Sequence, residues 1–483
     1  MSDQYRIERD SVGEMKVPKD AYYGVQTMHA TENFPITGYR LDPALIRALA
    51  VIKKAAALAN AELGLLDKGI ADAIVRAADE IIDGKLHDQF IVDPINGGAG
   101  TSVNMNANEV IANRALELLG KEKGDYRTVS PNSHVNMSQS TNDCFPTAVN
   151  IAALMALDPL LKAMEELSKS FWEKAEEFQG ILKMGRTHLQ DAVPIQLGQE
   201  FEAYARVLDR DIHRIRSVRE RLYAVNMGAT AVGTGLNALP EYIENVVGKL
   251  ADFTGYPIRT VDSLVDGTQN TDVYAELSSA LKICMLNMSK VANDLRLMAS
   301  GPRAGLNEIQ LPARQPGSSI MPGKINPVIP EVLNQCAFFV AGNDLTVSMA
   351  CEAGQLEINV MKPVIAFKLL ESIRMMTHVF RVFRTHCVDG IVANKKQMEK
   401  YVSESVGIIT ALNPIIGYEK ASEIAKEAIR TGRPVRNLIV EKGVLTEEEL
   451  NRVLNPEDMT RPGILGKELL NRKAGKKEKK ALV

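Results

Sequence analysis

The sequence predicts a mainly all-α protein in which long central helices form an elongated bundle flanked by two smaller, mostly helical domains. Between about 144 and 390, apolar residues recur every three or four positions, which is the spacing of one face of a helix. The stretch over 272–300 keeps this apolar seam for almost four heptads, well beyond the usual ~11–12 residues of a helix. Polar segments rich in glycine and proline interrupt the pattern and predict loops between the helices.

Changes in this pattern divide the chain into three predicted domains. Residues 1–140 form an N-terminal domain with an irregular start over 1–40, residues 141–395 form the central bundle, and residues 396–483 form a small helical domain with a basic tail. The N-terminal domain is predicted to hold helices over 43–63, 66–84 and 104–120. The tail over 471–480 is rich in Lys and Arg and is expected to be a solvated end.

Capping and breaking signals predict where individual helices begin and end. Gly432 is expected to end a helix over 418–431, because glycine readily adopts the left-handed conformation after a helix. Residues 446–449 read TEEE, the sequence of a capped helix start. A further helix is expected to open near Phe145, after a polar loop over 131–143.

The composition is that of an ordinary soluble globular protein, with 45% hydrophobic and 24% charged residues in a chain of 483. The formal net charge of −3 provides no global basic field, which argues against a nucleic-acid partner. The five cysteines form no C-x-x-C pair, and the seven histidines stand apart from them. Neither a disulfide framework nor a metal site is therefore predicted.

The chain is also predicted to be cytoplasmic. Its N-terminal residues lack the apolar core of a secretory signal. No apolar run approaches the roughly 18–20 residues that are needed to span a bilayer. An odd, unpatterned set of cysteines in a large chain agrees with the reducing environment of the cytosol.

Four polar loops offer groups that could recognise a small acid. They lie over 97–104, 138–143, 185–191 and 317–327, the third between two long predicted helices. The fourth loop brings two hydroxyls, a lysine and an amide before a helix whose N-terminal end favours anions. That set could hold a carboxylate beside a small oxygen base. For the second loop helix capping is an equally open explanation, and the lone histidine of the third is more often structural.

The same loops carry a family resemblance. Residues 98–106 read GAGTSVNMN, 134–143 read HVNMSQSTND, 184–191 read MGRTHLQD, and 317–327 read GSSIMPGKINP. Two further blocks, over 228–237 and 300–306, read GATAVGTGLN and SGPRAGL. In this order they resemble the blocks of the aspartase/fumarase superfamily, and the similarity extends from about residue 6 to about residue 465.

The resemblance implies an L-aspartase-like fold and a homotetramer in which loops of three subunits build each active site. Within the superfamily it is closest to the aspartase branch, which implies a carbon–nitrogen lyase. The implied reaction is the reversible, non-oxidative deamination of L-aspartate to fumarate and ammonia. The superfamily requires no cofactor for this chemistry, and the implied partners are the small substrate and further copies of the chain, with no nucleic acid or membrane.

The resemblance also assigns roles to single residues. Ser318 is implied to be the base that takes a Cβ proton and so forms an enediolate intermediate. The implied donors to the β-carboxylate are Thr101, Ser140, Thr141 and Ser319. The α-carboxylate is implied to be held by Thr187, Lys324 and Asn326. The amino group is implied to meet Asn142 and the catalytic His188. A loop that closes over the substrate is implied at Met321, Pro322 and Gly323, with the glycine as a hypothetical hinge.

Fumarate hydratase is the nearest alternative, since it shares most of these blocks and the serine base. Residues 97–102 read GGAGTS where fumarases typically read GSGT, and residues 327–331 read PVIPE where fumarases usually have PTQCE. His188 does not decide between the two. Lyases of adenylosuccinate and argininosuccinate match less well. A catalytically silent structural protein on the same scaffold would have no physical reason to keep the full polar set.

One local departure from the resemblance is Lys362, where related aspartases commonly show Glu. It lies at a predicted helix start, where a cation is disfavoured by a few tenths of a kcal/mol. We expect it to affect a subunit contact and not the chemistry.

Overall fold

The computed structural model describes residues 4–470, so the basic tail predicted over 471–480 lies outside the described residues. The elements of the first half are β1 Tyr5–Arg9, β2 Glu14–Pro18, α1 Val25–Asn33, α2 Pro43–Glu62, α3 Lys68–Ile82, α4 Thr101–Leu118, α5 Thr141–Glu177, β3 Leu182–Thr187, β4 Gln190–Gln196, α6 Leu197–Arg219, β5 Ala224–Val225 and α7 Pro240–Thr254. Those of the second half are β6 Arg259–Thr260, α8 Leu264–Gln269, α9 Asp272–Met298, β7 Ile309–Gln310, α10 Val328–Glu352, α11 Lys362–His386, β8 Val392–Ala393, α12 Lys395–Glu404, α13 Asn413–Ile416, α14 Tyr418–Thr431, α15 Val435–Glu441 and α16 Glu447–Val453. The predicted all-α class is confirmed, because the strands form only two-stranded pairs in the described residues.

Helix boundaries follow the capping residues of the sequence. The Asp42 side chain accepts a hydrogen bond from the Ala44 N–H at the start of α2, over 2.9 Å. Gly432 follows α14 with a φ of 67°, and Thr446 forms a capping box with Glu449 at the start of α16. These predicted ends are confirmed, as are the predicted helices over 43–63 and 66–84.

The prediction of an irregular start over 1–40 is wrong where β1, β2 and α1 form, whereas residues 34–40 are irregular as predicted. Strands β1 and β2 pair as an antiparallel hairpin, and α1 follows them. The Arg6 guanidinium supports the hairpin by donating to the carbonyls of Pro18 at 2.9 Å, Ala21 at 2.8 Å and Tyr23 at 2.7 Å. Hydrogen bonds from one arginine to residues 12 to 17 positions away therefore stabilise a segment whose own sequence has weak periodicity.

The predicted loops also begin and end differently from expectation. Helix α4 starts at Thr101 instead of 104, and α5 starts at Thr141 instead of near Phe145. The segment over 185–191 is not a loop between two helices, because β3 and β4 pair there as an antiparallel hairpin. Each change places the polar side chains of a predicted loop on a defined turn or first helical turn.

Contacts group the described chain into two compact units. Unit 1 consists of the residues up to Met164 together with Arg210–Asn287 and Gln335–Val379. Unit 2 consists of Glu165–Asp209, Met288–Asn334 and the residues from Phe380 onward. The five long helices α5, α6, α9, α10 and α11 each contribute residues to both units. The three-domain division made from the sequence remains a prediction.

Each unit has its own core. In unit 1 the small apolar residues of α2 pack without solvent exposure against α3 and α4, with Leu49 and Ile52 fully buried. In unit 2 Phe171 lies at the centre of an aromatic cluster, with ring centroids 6.0 to 6.4 Å from Phe201, Tyr204 and Phe383. Rings at these separations and tilts pack favourably edge to face.

Helix α5 is long and apolar enough to cross a membrane by length and composition. It therefore departs from the expectation that no apolar stretch approaches membrane-spanning length. However, 78% of its most apolar window is buried inside the protein. Burial of this kind is what a core helix shows, so the apolar character of α5 is accounted for by packing.

Candidate active site

The N-terminus of α4 presents Thr101 at the surface. Gly100 precedes it with a φ of 99°, and a Cβ at that position would lie 2.6 Å from the Phe145 ring. Only glycine meets both constraints without strain. The turn is closed by a hydrogen bond from the Thr101 N–H to the Gly98 carbonyl at 2.9 Å. The first predicted loop therefore delivers an exposed hydroxyl at a helix N-terminus, where unpaired N–H groups favour an anion.

The N-terminus of α5 carries three of the predicted site residues. The Ser140 Oγ accepts a hydrogen bond from the Asn142 N–H at 3.2 Å, and the Thr141 Oγ1 accepts one from the Asn104 side-chain amide at 3.1 Å. Each hydroxyl oxygen accepts one hydrogen bond here, and a hydroxyl also carries one O–H that can donate to a ligand. The Asn104 contact also joins α4 to α5, which brings Thr101 and the 140–142 segment together within unit 1.

A buried lysine that was not predicted from the sequence holds these elements in place. Lys53 of α2 is fully buried and donates to the side-chain oxygens of Asn104 at 2.7 Å, Asn136 at 3.0 Å and Gln139 at 2.8 Å. Burial lowers the pKa of the Lys53 ammonium, because removal from water disfavours the charged form. Three amide oxygens offset part of that cost and fix the turn before α5.

A buried carboxylate, that of Asp143, also holds this turn. The Asp143 oxygens accept from the backbone N–H groups of Ser140 at 3.0 Å and Thr230 at 2.9 Å. Burial raises the pKa of this carboxyl to about 6, although these backbone hydrogen bonds and the charge of Lys53 oppose the rise. Asp143 therefore ties the 138–142 segment to the 226–235 segment from inside the protein.

Lys362 is buried in unit 1, where it is only 2% exposed, so the expectation that it affects a subunit contact is wrong. Its ammonium donates to the Thr268 carbonyl at 2.9 Å. Burial lowers the pKa of this lysine to about 8, while the charge of Asp143 acts in the opposite direction. The departure from the aspartase pattern thus lies beneath the site and not on a subunit surface.

A signal for Lys53 was present in the sequence. It stands among alanine and isoleucine in α2, spaced four residues from Leu49 and Ala57 and seven from Asn60 on one buried face. A lysine on an apolar helical face implies a buried partner. Its partners could not be found this way, because they lie more than fifty residues away along the chain.

In unit 2 the hairpin of β3 and β4 presents Thr187 and His188 to solvent. Thr187 pairs with Gln190, so the connection has two residues, His188 and Leu189. Both have positive φ, 52° and 59°, as a type I′ turn requires. Neither is glycine or asparagine, and such a conformation costs about 1–2 kcal/mol per residue. A strained, exposed turn of this kind is typical of a functional site.

A buried ion cluster supports this hairpin. The Arg186 guanidinium donates to the fully buried Glu308 carboxylate at 2.8 Å, and the Lys183 ammonium lies 3.5 Å from it. Lys183 also pairs with Glu200 at 2.9 Å. The strand that ends at Thr187 is therefore anchored immediately before the turn, which positions the two side chains at its tip.

The loop over 317–326 of unit 2 closes on itself. The Gly317 N–H donates to the Lys324 carbonyl at 2.6 Å, and the Asn326 side-chain amide donates to the Gly317 carbonyl at 2.8 Å. One of the two side-chain N–H bonds of Asn326 therefore donates within the loop, and the other can donate to a ligand. Ser319 and Lys324 are exposed, and Gly323 has a φ of 80° with open space around it.

Within this loop Ser318 is held by backbone donors. Its Oγ accepts from the N–H groups of Ile320 at 3.2 Å and Met321 at 3.0 Å. Two donors aimed at one oxygen stabilise negative charge on it, which favours ionisation of the hydroxyl. The predicted site residues thus form two groups: Thr101 and 140–142 in unit 1, and 187–188 and 318–326 in unit 2.

Metal binding has no support from side-chain clustering. Among residues 4–470, His, Cys, Asp and Glu form no group of three or more that could hold a metal ion. The assigned residues are hydroxyls, amides, one lysine and one histidine, which are donors suited to a small dicarboxylate.

Comparison with protein families gives two matches. Residues 13–342 match a family described as Lyase, and residues 408–461 match one described as Fumarase C C-terminus. An aspartate ammonia-lyase of Bacillus sp is 65% identical over 97% of this chain and 100% of its own. An aspartate ammonia-lyase of Bacillus subtilis (strain 168) is 64% identical over 97% of this chain and 99% of its own.

Solved structures give the same grouping. A fumarate lyase:delta crystallin from Brucella melitensis, bound to cobalt, is similar with a TM-score of 0.92 and 49% identity, covering 95% of this chain and 100% of its own. A class II fumarase from Schistosoma mansoni also has a TM-score of 0.92, but its identity is 34%, covering 95% and 99% of the two chains.

Lys362→Met is expected to raise the free energy of unfolding near pH 7.5, and to raise it less as the pH increases. The pKa of the buried ammonium, about 8, lies below its ordinary 10.5, so the folded state disfavours the charge. That cost is complete below pH 8 and disappears above pH 10.5, where the amine is neutral in both states. The difference amounts to roughly 3 kcal/mol at most, and urea titrations near pH 7.5 and 9.5 would measure it.

Lys396→Met serves as the control, since it removes a lysine that is exposed to water. A stability difference between the Lys362→Met protein and the unaltered protein that stays constant or widens with rising pH would contradict the assignment of a buried, disfavoured charge.

Proposed function

The chain belongs to the lyase family that includes the aspartate ammonia-lyases and class II fumarases, and on that premise we propose that it deaminates L-aspartate. The reaction gives fumarate and ammonia, is reversible, and makes the protein a carbon–nitrogen lyase. The observation that carries this function is identity of 65% and 64% to two aspartate ammonia-lyases over nearly the whole chain. The class II fumarase is only 34% identical.

The chemical difficulty is removal of a proton from the carbon beside the β-carboxylate. The resulting carbanion is stabilised when its charge moves onto the carboxylate as an enediolate, which then needs several hydrogen-bond donors. Thr101, Ser140, Thr141 and Ser319 are the proposed donors. This role is supported by the two hydroxyls of the α5 turn, whose oxygens are oriented by accepted hydrogen bonds and whose O–H groups can donate to a ligand.

Ser318 is the proposed base. A serine hydroxyl is too weak an acid to ionise freely, so its alkoxide needs local stabilisation. Support comes from the N–H groups of Ile320 and Met321, which point at its Oγ. The exposed ammonium of Lys324 belongs to the same loop and adds a favourable charge at longer range.

The substrate's other end is recognised by a second set of groups. Thr187, Lys324 and Asn326 hold the α-carboxylate, with lysine as a point charge and asparagine through its remaining N–H. Asn142 and His188 meet the amino group, and His188 takes part in its departure. Met321, Pro322 and Gly323 close the loop over bound substrate, and the positive φ and open surroundings of Gly323 suit a hinge.

The assembly we propose is a homotetramer in which loops of three subunits build each active site. Support comes from α10, where Phe338, Leu345 and Met349 lie on one helical face and are 68%, 62% and 64% exposed in the single chain. Large exposed apolar faces of this kind are normally buried against another subunit. Each subunit of this tetramer is proposed to have the three domains predicted from the sequence, over 1–140, 141–395 and 396–483.

The proposed location is the cytoplasm. All five cysteines lie within the described residues and are free thiols, which suits a reducing environment.

The tetramer predicts a particle mass in solution four times the 53.0 kDa of the chain. Light scattering coupled to size-exclusion chromatography would measure it. A monomer or dimer at micromolar concentration would contradict the assembly.

L-Aspartate is expected to yield fumarate, with one ammonia released for each fumarate, while L-malate yields none. The measurement is the ultraviolet absorbance of fumarate with each substrate offered separately, together with an ammonia assay. Fumarate from malate alone would assign the chain to the hydratases instead.

Ser318→Ala is expected to abolish turnover while the protein keeps its fold, because it removes the hydroxyl whose oxygen the N–H groups of Ile320 and Met321 stabilise. We expect a fall in kcat of at least about 10³-fold, as for loss of a catalytic nucleophile or base. Ser319→Ala is the comparison in the same loop: it removes one donor to the enediolate but leaves the base, so we expect a smaller loss of kcat, of about 10²-fold. Near-normal turnover by the Ser318→Ala protein would overturn the assignment of the base.

A further inference from the structure

We infer that the 226–231 segment is a positioning element for Asn142, and that it sets the recognition of the substrate's amino group. The inference rests on the proposed function, in which Asn142 meets that group. The segment precedes and enters the block over 228–237, to which the proposed chemistry assigns no role. Three separate hydrogen-bonded connections join it to the turn at the start of α5.

The first connection fixes the orientation of the Asn142 side chain. Its Nδ2 donates to the Ala231 carbonyl over 2.7 Å. A carbonyl can only accept, so the NH₂ end of the amide must face it and the Oδ1 end must face away. The Asn142 side chain therefore offers an acceptor to its surroundings. The substrate's amino group carries N–H bonds and needs an acceptor, so this is the productive orientation.

The second connection fixes the main chain of the same residue. Asn226 is only 3% exposed, and its Nδ2 donates to the Asn142 carbonyl at 3.1 Å. The same nitrogen donates to the Thr268 Oγ1 at 3.0 Å, which anchors Asn226 on α8. Asn142 is thus held at both its main-chain oxygen and its side-chain nitrogen by one short segment.

The third connection sets the distance between the two segments. The Asp143 carboxylate accepts from Ser140 N–H and from Thr230 N–H, so one buried group joins both backbones. Thr230 adopts a φ of 57°, a conformation that threonine rarely takes, and its Oγ1 is buried without a hydrogen bond. The side chain therefore gains nothing polar from this position. The importance of this position lies in its backbone conformation, which places the carbonyl of the next residue, Ala231, against the Asn142 side chain.

A positioning role and a purely structural role predict different effects on ligand binding. Loosening the segment lets the Asn142 amide rotate, which removes the acceptor for an amino group. The donors to the carboxylates, at Thr101, Thr141 and Ser319, stay in place. Recognition of ammonia and aspartate should therefore weaken more than recognition of a dicarboxylate that has no amino group.

The experiment compares Asn226→Ala and Thr268→Val with the unaltered full-length protein in the reverse reaction. The KM for ammonium at saturating fumarate is measured beside the inhibition constant of succinate. For Asn226→Ala we expect the KM for ammonium to rise about tenfold, the effect of losing one well-placed hydrogen bond. The inhibition constant of succinate should stay within about twofold.

Asn150→Ala is the matched control. Asn150 is also in α5, is 6% exposed, and donates from Nδ2 to two backbone carbonyls, Leu222 at 3.1 Å and Ala224 at 3.0 Å. Its replacement should cost comparable stability without changing the ratio of the two constants. Thr268→Val keeps the size of the side chain but removes the oxygen that anchors the Asn226 amide, so it provides a folded test if Asn226→Ala is unstable.

Equal changes in both constants, or no change in either, in a folded variant would overturn the inference. Failure of the proposed function would appear differently, as a lack of aspartate formation from fumarate and ammonium by the unaltered protein, and it would overturn both. A selective loss for ammonium in Asn226→Ala and Thr268→Val, absent from Asn150→Ala, would establish the positioning role.

Discussion

The burial of the Lys53 ammonium is the constraint on which the unit 1 part of the site depends. A charge removed from water is costly unless polar groups surround it, and here three side-chain oxygens converge on one nitrogen. These oxygens belong to α4 and to the turn before α5. Satisfying a single cation therefore fixes both helix N-termini, and with them the hydroxyls at Thr101 and Thr141.

Asp143 is a second buried group that holds the same turn. Its carboxylate is the acidic group nearest in sequence to the proposed ligand contacts, yet both oxygens are occupied by backbone N–H groups in the interior. It consequently supports the turn and presents no negative charge to the substrate. This division suits a reaction whose intermediate carries additional negative charge, since an exposed carboxylate beside it would be repulsive.

Unit 2 positions its groups by a different means. An ion cluster centred on Glu308 anchors the strand before the Thr187–His188 turn, while the 317–326 loop is closed by its own backbone and by Asn326. Both arrangements leave proposed site residues exposed to solvent, namely Thr187, His188, Ser319 and Lys324. Gly323 of this loop has a positive φ and open space around it, which suits the proposed closure of the loop over bound substrate.

The sequence by itself determined the helical class, the positions of several helix ends and the chemical character of the polar loops. Helical periodicity and capping are local, so Gly432 and the Thr446 capping box could be located without a structure. The resemblance of ordered motifs identified the family and proposed the roles of Ser318 and its neighbours.

Only the tertiary structure decided how those side chains are held. The hairpin under His188, the buried position of Lys362, and the partners of Lys53, Asp143 and Asn142 depend on contacts between residues far apart in the chain. A local sequence pattern shows which residue is polar. The hydrogen-bond partners that offset the cost of burying that residue come from distant parts of the chain, so only the folded structure identifies them.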